Sequence, residues 1–186
     1  MLIIMSGPSG SGKNAVINAL LKEFNNIEIM KSCTTRKMRR GTKDDNYFYL
    51  SQKEFEERKN NGDFFETEMV HEGLWYGVLN ESLENVIKGD KIYIKDIDVN
   101  GTQKIADYLV GKARVVKIFL DAPDDVLVDR LQKRGEDDES IITRQSRFAY
   151  ERSFKDKYDL VVNNIVFDTT VKIIKKYIEE RKLAQI

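Results

Sequence analysis

The residues best suited to chemistry lie at the start of the chain. Leu2-Ile3-Ile4-Met5 is a short apolar run, and Gly7-Pro8-Ser9-Gly10-Ser11-Gly12-Lys13 follows it. Ala15, Val16, Ile17, Ala19, Leu20, Leu21 and Phe24 then recur with helical periodicity. The pattern predicts a strand, a phosphate-cradling loop and a helix. Gly7 and Gly12 carry no Cβ, so the backbone between them can curl around a phosphate with its N–H groups inward. A helix starting near Gly12 adds the positive end of its dipole, and Lys13 adds a full charge at the β- and γ-phosphates. After the lysine, loops of this kind place Ser or Thr, whose hydroxyl helps hold Mg²⁺. Here Asn14 stands in that place, followed by Ala15, so no hydroxyl lies next door. Mg²⁺ keeps several waters and leans on the phosphates themselves, so an amide there is compatible with its use.

A second cluster is Ser32-x-Thr34-Thr35-Arg36-x-x-Arg39-x-Gly41, with Tyr47 further on. Guanidinium groups take phosphate oxygens bidentately and a tyrosine hydroxyl adds a neutral donor, which suits a phosphate monoester. On charge alone, Lys37-Met38-Arg39-Arg40 could equally be a solvated basic loop. Glu66 and Tyr76-Gly77 favour the ligand reading. A buried carboxylate can accept from the N1–H and N2–H₂ edge of guanine, whereas the unprotonated N1 of adenine would repel it. No residue has the setting of a nucleophile. His71, the sole histidine, sits in a polar loop, Cys33 reads as a small filler, and Trp75 reads as packing.

These residues need elements to carry them. Strands are expected at 27–30, 47–50, 64–69, 74–78, 92–97, 115–120 and 159–163. Ser51-Gln52-Lys53-Glu54 is a capping box opening a helix to about Asn60, closed by Gly62. Further helices are expected from an Asn80 cap to Lys88, from about Gly101 to Leu109, from Pro123-Asp124 to Lys133, from Asp137 through Phe154, and from an Asp168 cap to the end. Residues 31–79 are strand-dominated with one short helix, which predicts an inserted antiparallel lobe. The fold class is therefore α/β: a parallel sheet flanked by helices, carrying a β-rich insertion and a helical one.

With 186 residues, 41% hydrophobic and 33% charged, the chain suits one domain. The 31 basic and 31 acidic residues cancel, so bulk attraction to nucleic acid or membrane is not expected. One cysteine excludes an internal disulfide and suits a reducing cytoplasm. No apolar run has membrane-spanning length, and the start runs straight into a core strand, so the chain is expected to be cytoplasmic and complete.

Over essentially its whole length the chain resembles guanylate kinase, the P-loop enzyme that phosphorylates GMP with ATP. The matching stretches, in order, are Gly7-Pro8-Ser9-Gly10-x-Gly12-Lys13; Ser32-x-Thr34-Thr35-Arg36-x-x-Arg39-x-Gly41; Phe65-Glu66; Tyr76-Gly77; Asp96-Ile97-Asp98-x-x-Gly101; Arg130-Leu131-x-x-Arg134-Gly135; and Tyr158-Asp159-x-Val161-Val162-x-Asn164. The resemblance implies a P-loop core (about 1–31, 80–123 and 155–186), a GMP-binding lobe (about 32–79) and a lid (about 124–154). It implies that Arg36, Arg39, Tyr47 and Tyr76 hold the GMP phosphate, with Arg144 and Arg147 also on the GMP side. Ser32, Glu66 and Asp98 would read guanine. Ser9, Gly10, Ser11, Gly12, Lys13, Asn14, Arg130, Arg134 and Asn164 would hold ATP. Lys13, Asp96, Arg36, Arg134 and Arg144 form the implied catalytic set, and Asn14 and Asp96 would meet Mg²⁺ through water. The lid arginines could instead form a solvated face paired with Glu139 and Glu151.

The chain departs from the family pattern at Asn14, at Val78 where a hydroxyl helps read guanine, and at Glu136 where Thr is usual. The Gly41-to-Tyr47 loop is shorter by one residue and the Glu66-to-Tyr76 stretch longer by one than the family's. The expected substrates are ATP with GMP or dGMP, with Mg²⁺ as cofactor, in purine nucleotide metabolism. The chain would act as a monomer or homodimer, with no nucleic acid or membrane partner. The alternatives are a guanylate-kinase-like binding module without turnover, and a kinase for another nucleoside monophosphate.

Overall fold

The structure, a computed structural model, describes residues 1–38, 46–70, 73–89 and 91–183. Nine strands and eight helices are found among them: β1 (Leu2–Ser6), α1 (Lys13–Glu23), β2 (Ile27–Ile29), β3 (Ser32–Thr34), β4 (Tyr47–Tyr49), α2 (Gln52–Asn60), β5 (Phe64–Val70), β6 (Leu74–Leu79), α3 (Asn80–Lys88), β7 (Ile92–Asp96), α4 (Val99–Leu109), β8 (Val115–Asp121), α5 (Asp124–Lys133), α6 (Asp138–Gln145), α7 (Phe148–Arg152), β9 (Leu160–Asn163) and α8 (Phe167–Leu183).

The main sheet has the order β2-β7-β1-β8-β9, and every pairing in it is parallel. β1 is buried along its whole length, as a central parallel strand covered on both faces must be. Met5, Val16, Ile17, Leu20, Ile94, Ile118, Leu120, Ile174 and Ile178 form one core layer. Leu2, Ile4, Met30, Val78, Leu83, Val86, Ile105 and Leu109 form the other. The α/β expectation therefore holds.

The inserted sheet has the order β4-β3-β6-β5. It is mixed rather than antiparallel, because β3 pairs parallel with β4 and antiparallel with β6. Residues 35–46 supply the dozen or so residues that a parallel crossover needs. The polar run around Cys33 predicted no strand; β3 exists because β4 and β6 supply its hydrogen bonds. Phe55 stacks on Phe64 and lies near Trp75, building the small core of this sheet as Trp75 suggested.

Several helix boundaries differ from expectation. The Ser51/Glu54 capping box is present, but Asn80 is the first residue of α3, and its amide donates to the Gly62 carbonyl. Helix α4 starts before Gly101, because Asp98 Oδ1 accepts from the amides of Asn100 and Gly101. Asp168 lies inside the first turn of α8. The long helix expected over 137–154 is two helices. Ser146 turns its hydroxyl back onto the Thr143 carbonyl, a local competitor for helix bonds. The break lets Phe148 join Leu127, Leu131 and Ile141 in a third apolar cluster.

Gly7 has φ +136°, and a Cβ there would stand 1.8 Å from the Leu120 carbonyl oxygen. Gly7→Ala is therefore expected to lower unfolding free energy by more than about 2 kcal/mol, read by urea denaturation, because backbone strain and a backbone clash coincide.

Candidate active site

The phosphate loop lies at the carboxyl end of the central strand, where open parallel sheets bind their ligands. Gly7, Gly10 and Gly12 all have positive φ. Lys13 Nζ lies over the loop, donating to the Gly7 carbonyl at 2.6 Å and the Pro8 carbonyl at 3.2 Å. Asn14 is exposed in the first turn of α1. Two residues expected on the nucleotide brace the loop from behind. Asn164 is buried, and its amide donates to the Ser11 carbonyl at 2.8 Å. Arg130 donates to the carbonyls of Asn164 (2.7 Å) and Gly10 (3.3 Å). A Cβ on Gly12 would collide with the Asn164 amide at 2.5 Å, so loop and brace are fitted to each other.

The lid arginines point to the loop and to a carboxylate. Arg144 donates to Ser9 Oγ at 3.0 Å and to Glu136 Oε2 at 2.5 Å. The other Glu136 oxygen takes the Arg134 guanidinium. The solvated-face reading, with Glu139 as a partner, is thus not what holds these two arginines; Glu136 does. Arg147 lies 3.9 Å from Glu151. Burial pushes the Glu151 carboxyl up, while Lys13 and Arg147 pull it down. Arg152, which the sequence pattern did not single out, clamps Asp121 with two bonds and reaches Asp124, and Lys155 adds a contact to Asp121 at 2.7 Å. Burial alone would raise Asp121, but these donors and the Ala122 amide hold it below the usual carboxylate range. This network ties α7 to the end of β8.

In the inserted sheet, the Arg36 guanidinium lies 5.4 Å from the Tyr47 ring centre, and Tyr47 meets Tyr76 edge-on at 5.8 Å. Three of the four phosphate-site residues are therefore gathered; Arg39 lies outside the described residues, as does His71. Glu66 is half-buried and pairs with Lys104 at 3.0 Å. Gly101 allows that position, since a Cβ there would come within 3.1 Å of Glu66 Oε1. Glu68, also unforeseen, is raised by burial and by the Asp98 carboxylate beside it. Val78 packs into the apolar core with Leu83 and Val86. Ser32 is buried, and its hydroxyl accepts from Lys95 Nζ at 2.5 Å. Nothing in the sequence pattern marked Lys95, which occupies a strand position normally filled by an apolar side chain. Burial raises the Cys33 thiol, which agrees with a filler and not with a reactive group.

Asp96 ends β7 beside Met5 of β1. Among the described residues no group of three or more His, Cys, Asp or Glu could hold a metal. No helix among the described residues is long and apolar enough to cross a membrane.

A glycine loop on the central strand of a parallel sheet, reached by arginines from a helical segment, defines a P-loop phosphoryl-transfer architecture. Comparison with known proteins narrows the class. The family model described as guanylate kinase matches residues 1–181. Curated relatives include guanylate kinases from Chlorobium chlorochromatii, 38% identical with 88% of this chain and 86% of the relative covered, and from Rickettsia felis, 35% identical with 96% and 92% covered. The solved guanylate kinase of Anaplasma phagocytophilum superposes with a TM-score of 0.73 at 27% identity, covering 97% of this chain and 85% of that one. The chain belongs to the guanylate kinase family, and so to the nucleoside monophosphate kinases.

Glu136 holds both Arg134 and Arg144, and a polyphosphate bound by those two guanidinium groups would displace it. Glu136→Thr is expected to lower the Kd for ATP about two- to thirtyfold, since its two partly exposed pairs are worth ~0.2–1 kcal/mol each; isothermal titration would read it.

Proposed function

We propose that the protein transfers the γ-phosphoryl group of ATP to GMP, and to dGMP, releasing ADP and GDP or dGDP. The observation that carries this reading is Glu66, a half-buried carboxylate at the inserted sheet, within the same fold as a phosphate loop and its lid arginines. A carboxylate there accepts from the N1–H and N2–H₂ of guanine, with Ser32 and Asp98 completing the base site. Lys104 is its present partner and must yield or share it.

The chemistry needs alignment and charge neutralisation rather than a protein nucleophile, because the acceptor is itself an ionised phosphate. In this reading Arg36, Arg39, Tyr47 and Tyr76 fix the acceptor phosphate, and Arg144 and Arg147 approach it from the lid. The amides of Ser9 to Lys13 and the Lys13 ammonium hold the β- and γ-phosphates of ATP. Arg134 and Arg144 would face the charge that develops on the transferring group, and Asp96 would orient the acceptor or help hold Mg²⁺ through water. Mg²⁺ supplies neutralisation of the polyphosphate when bound, with Asn14 and Asp96 as its water-mediated partners. Asn164 and Arg130 act by holding the loop in shape. The core (about 1–31, 80–123 and 155–186), lobe (about 32–79) and lid (about 124–154) are the bodies expected to close around the two nucleotides. The free, buried Cys33 suits a reducing cytoplasm.

An ADP-release assay offering GMP, dGMP, AMP, UMP and CMP tests the reaction. Turnover confined to GMP and dGMP is expected, with Lys13→Ala lowering kcat by at least about a hundredfold through lost transition-state charge stabilisation. Silence with every acceptor, alongside GMP binding, would make the chain a binding module. Glu66→Ala is expected to raise the Kd for GMP at least about tenfold, as loss of hydrogen bonds to a charged group would, while leaving the Kd for ATP within about twofold. Equal loss of both ligands would place the base site elsewhere.

A further inference from the structure

Lys95 is 1% exposed in β7. Its ammonium donates to Ser32 Oγ at 2.5 Å and lies 3.5 Å from the Met30 carbonyl, and it forms no ion pair among the described residues. Burying an ammonium without a close carboxylate is costly, and a methionine of similar length would pack there without that cost. The contact has a directional consequence. An ammonium has three donors and no acceptor, so the Ser32 hydroxyl must accept in this bond. Its own proton is then left to donate elsewhere, and no other described residue takes it.

We propose that Lys95 is a specificity-determining positioning residue, whose buried ammonium orients the Ser32 hydroxyl as an obligate donor to a carbonyl oxygen on the acceptor's base. This rests on the proposed function, in which Ser32 faces that base. A 6-keto purine offers the required acceptor. Adenine presents an amino group there, and two donors would meet. Lys95 thus reads the 6-position through Ser32, complementing Glu66, which reads N1 and N2.

The test is a double-mutant cycle of Lys95→Met and Ser32→Ala, with Kd for GMP and ATP measured by calorimetry. Lys95→Met is expected to raise the Kd for GMP about two- to fivefold, because the Ser32 hydroxyl is no longer held as a donor and its bond to the base carbonyl weakens, and to leave the Kd for ATP unchanged. In the Ser32→Ala background it should add little. In urea unfolding, Lys95→Met is expected to be at least as stable as wild type, so a loss of GMP affinity is not a loss of fold. An unchanged Kd for GMP, full additivity with Ser32→Ala, or an equal loss of ATP binding would overturn the proposal while leaving the kinase reading intact. Wild-type protein that fails to bind GMP would overturn both.

Discussion

The close approach of backbone to backbone beneath the phosphate loop is the constraint on which the rest depends. Gly7 lies against the Leu120 carbonyl, and Gly10 against that of Leu127, at distances no Cβ would tolerate. A loop that offers its amides to an anion must itself be held in a conformation side chains disfavour. The holding groups come from the far end of the chain. Asn164 bonds the Ser11 carbonyl, Arg130 bonds Gly10, and Asn164 is anchored in turn by its own amide on the Asp121 carbonyl. The end of β8, helix α5 and the turn that follows β9 therefore shape the phosphate loop.

Most of the charged groups around that loop have internal partners. Lys13 lies on loop carbonyls, Arg134 and Arg144 share Glu136, Glu66 holds Lys104, and Asp121 is enclosed by Arg152 and Lys155. Ligand binding is thus an exchange of internal partners for external ones. A zero net charge over the whole chain fits the same picture: the attraction that matters is local and geometric, and a substrate gains only by being a better partner than the carboxylate it displaces.

The carboxylates divide by surroundings. Asp98 gives one oxygen to the first turn of α4 and stands beside Glu68, whose own ionisation it opposes. Glu66, on the same strand as Glu68, is balanced by Lys104. Beneath them Lys95 is the one cation among the described residues that is fully buried. The inserted sheet therefore meets the core through charged groups as well as apolar contact.

The sequence alone determined the phosphate loop, the parallel core strands and most helices, because glycine chemistry, capping boxes and apolar periodicity act within a few residues. It also brought Arg36, Tyr47, Glu66 and Tyr76 into one lobe through motif order. Tertiary structure decided what each charge faces. Arg144 reaches Ser9 across 135 residues, Asn164 reaches Ser11 across 153, and Lys95 reaches Ser32 across 63. β3 likewise formed where no local pattern predicted it, because its partners on β4 and β6 supply its hydrogen bonds. Local propensity specifies an element, but the partner of a buried polar group is set by whichever residues the fold brings within 3 Å or so, and that distance is not written in spacing along the chain.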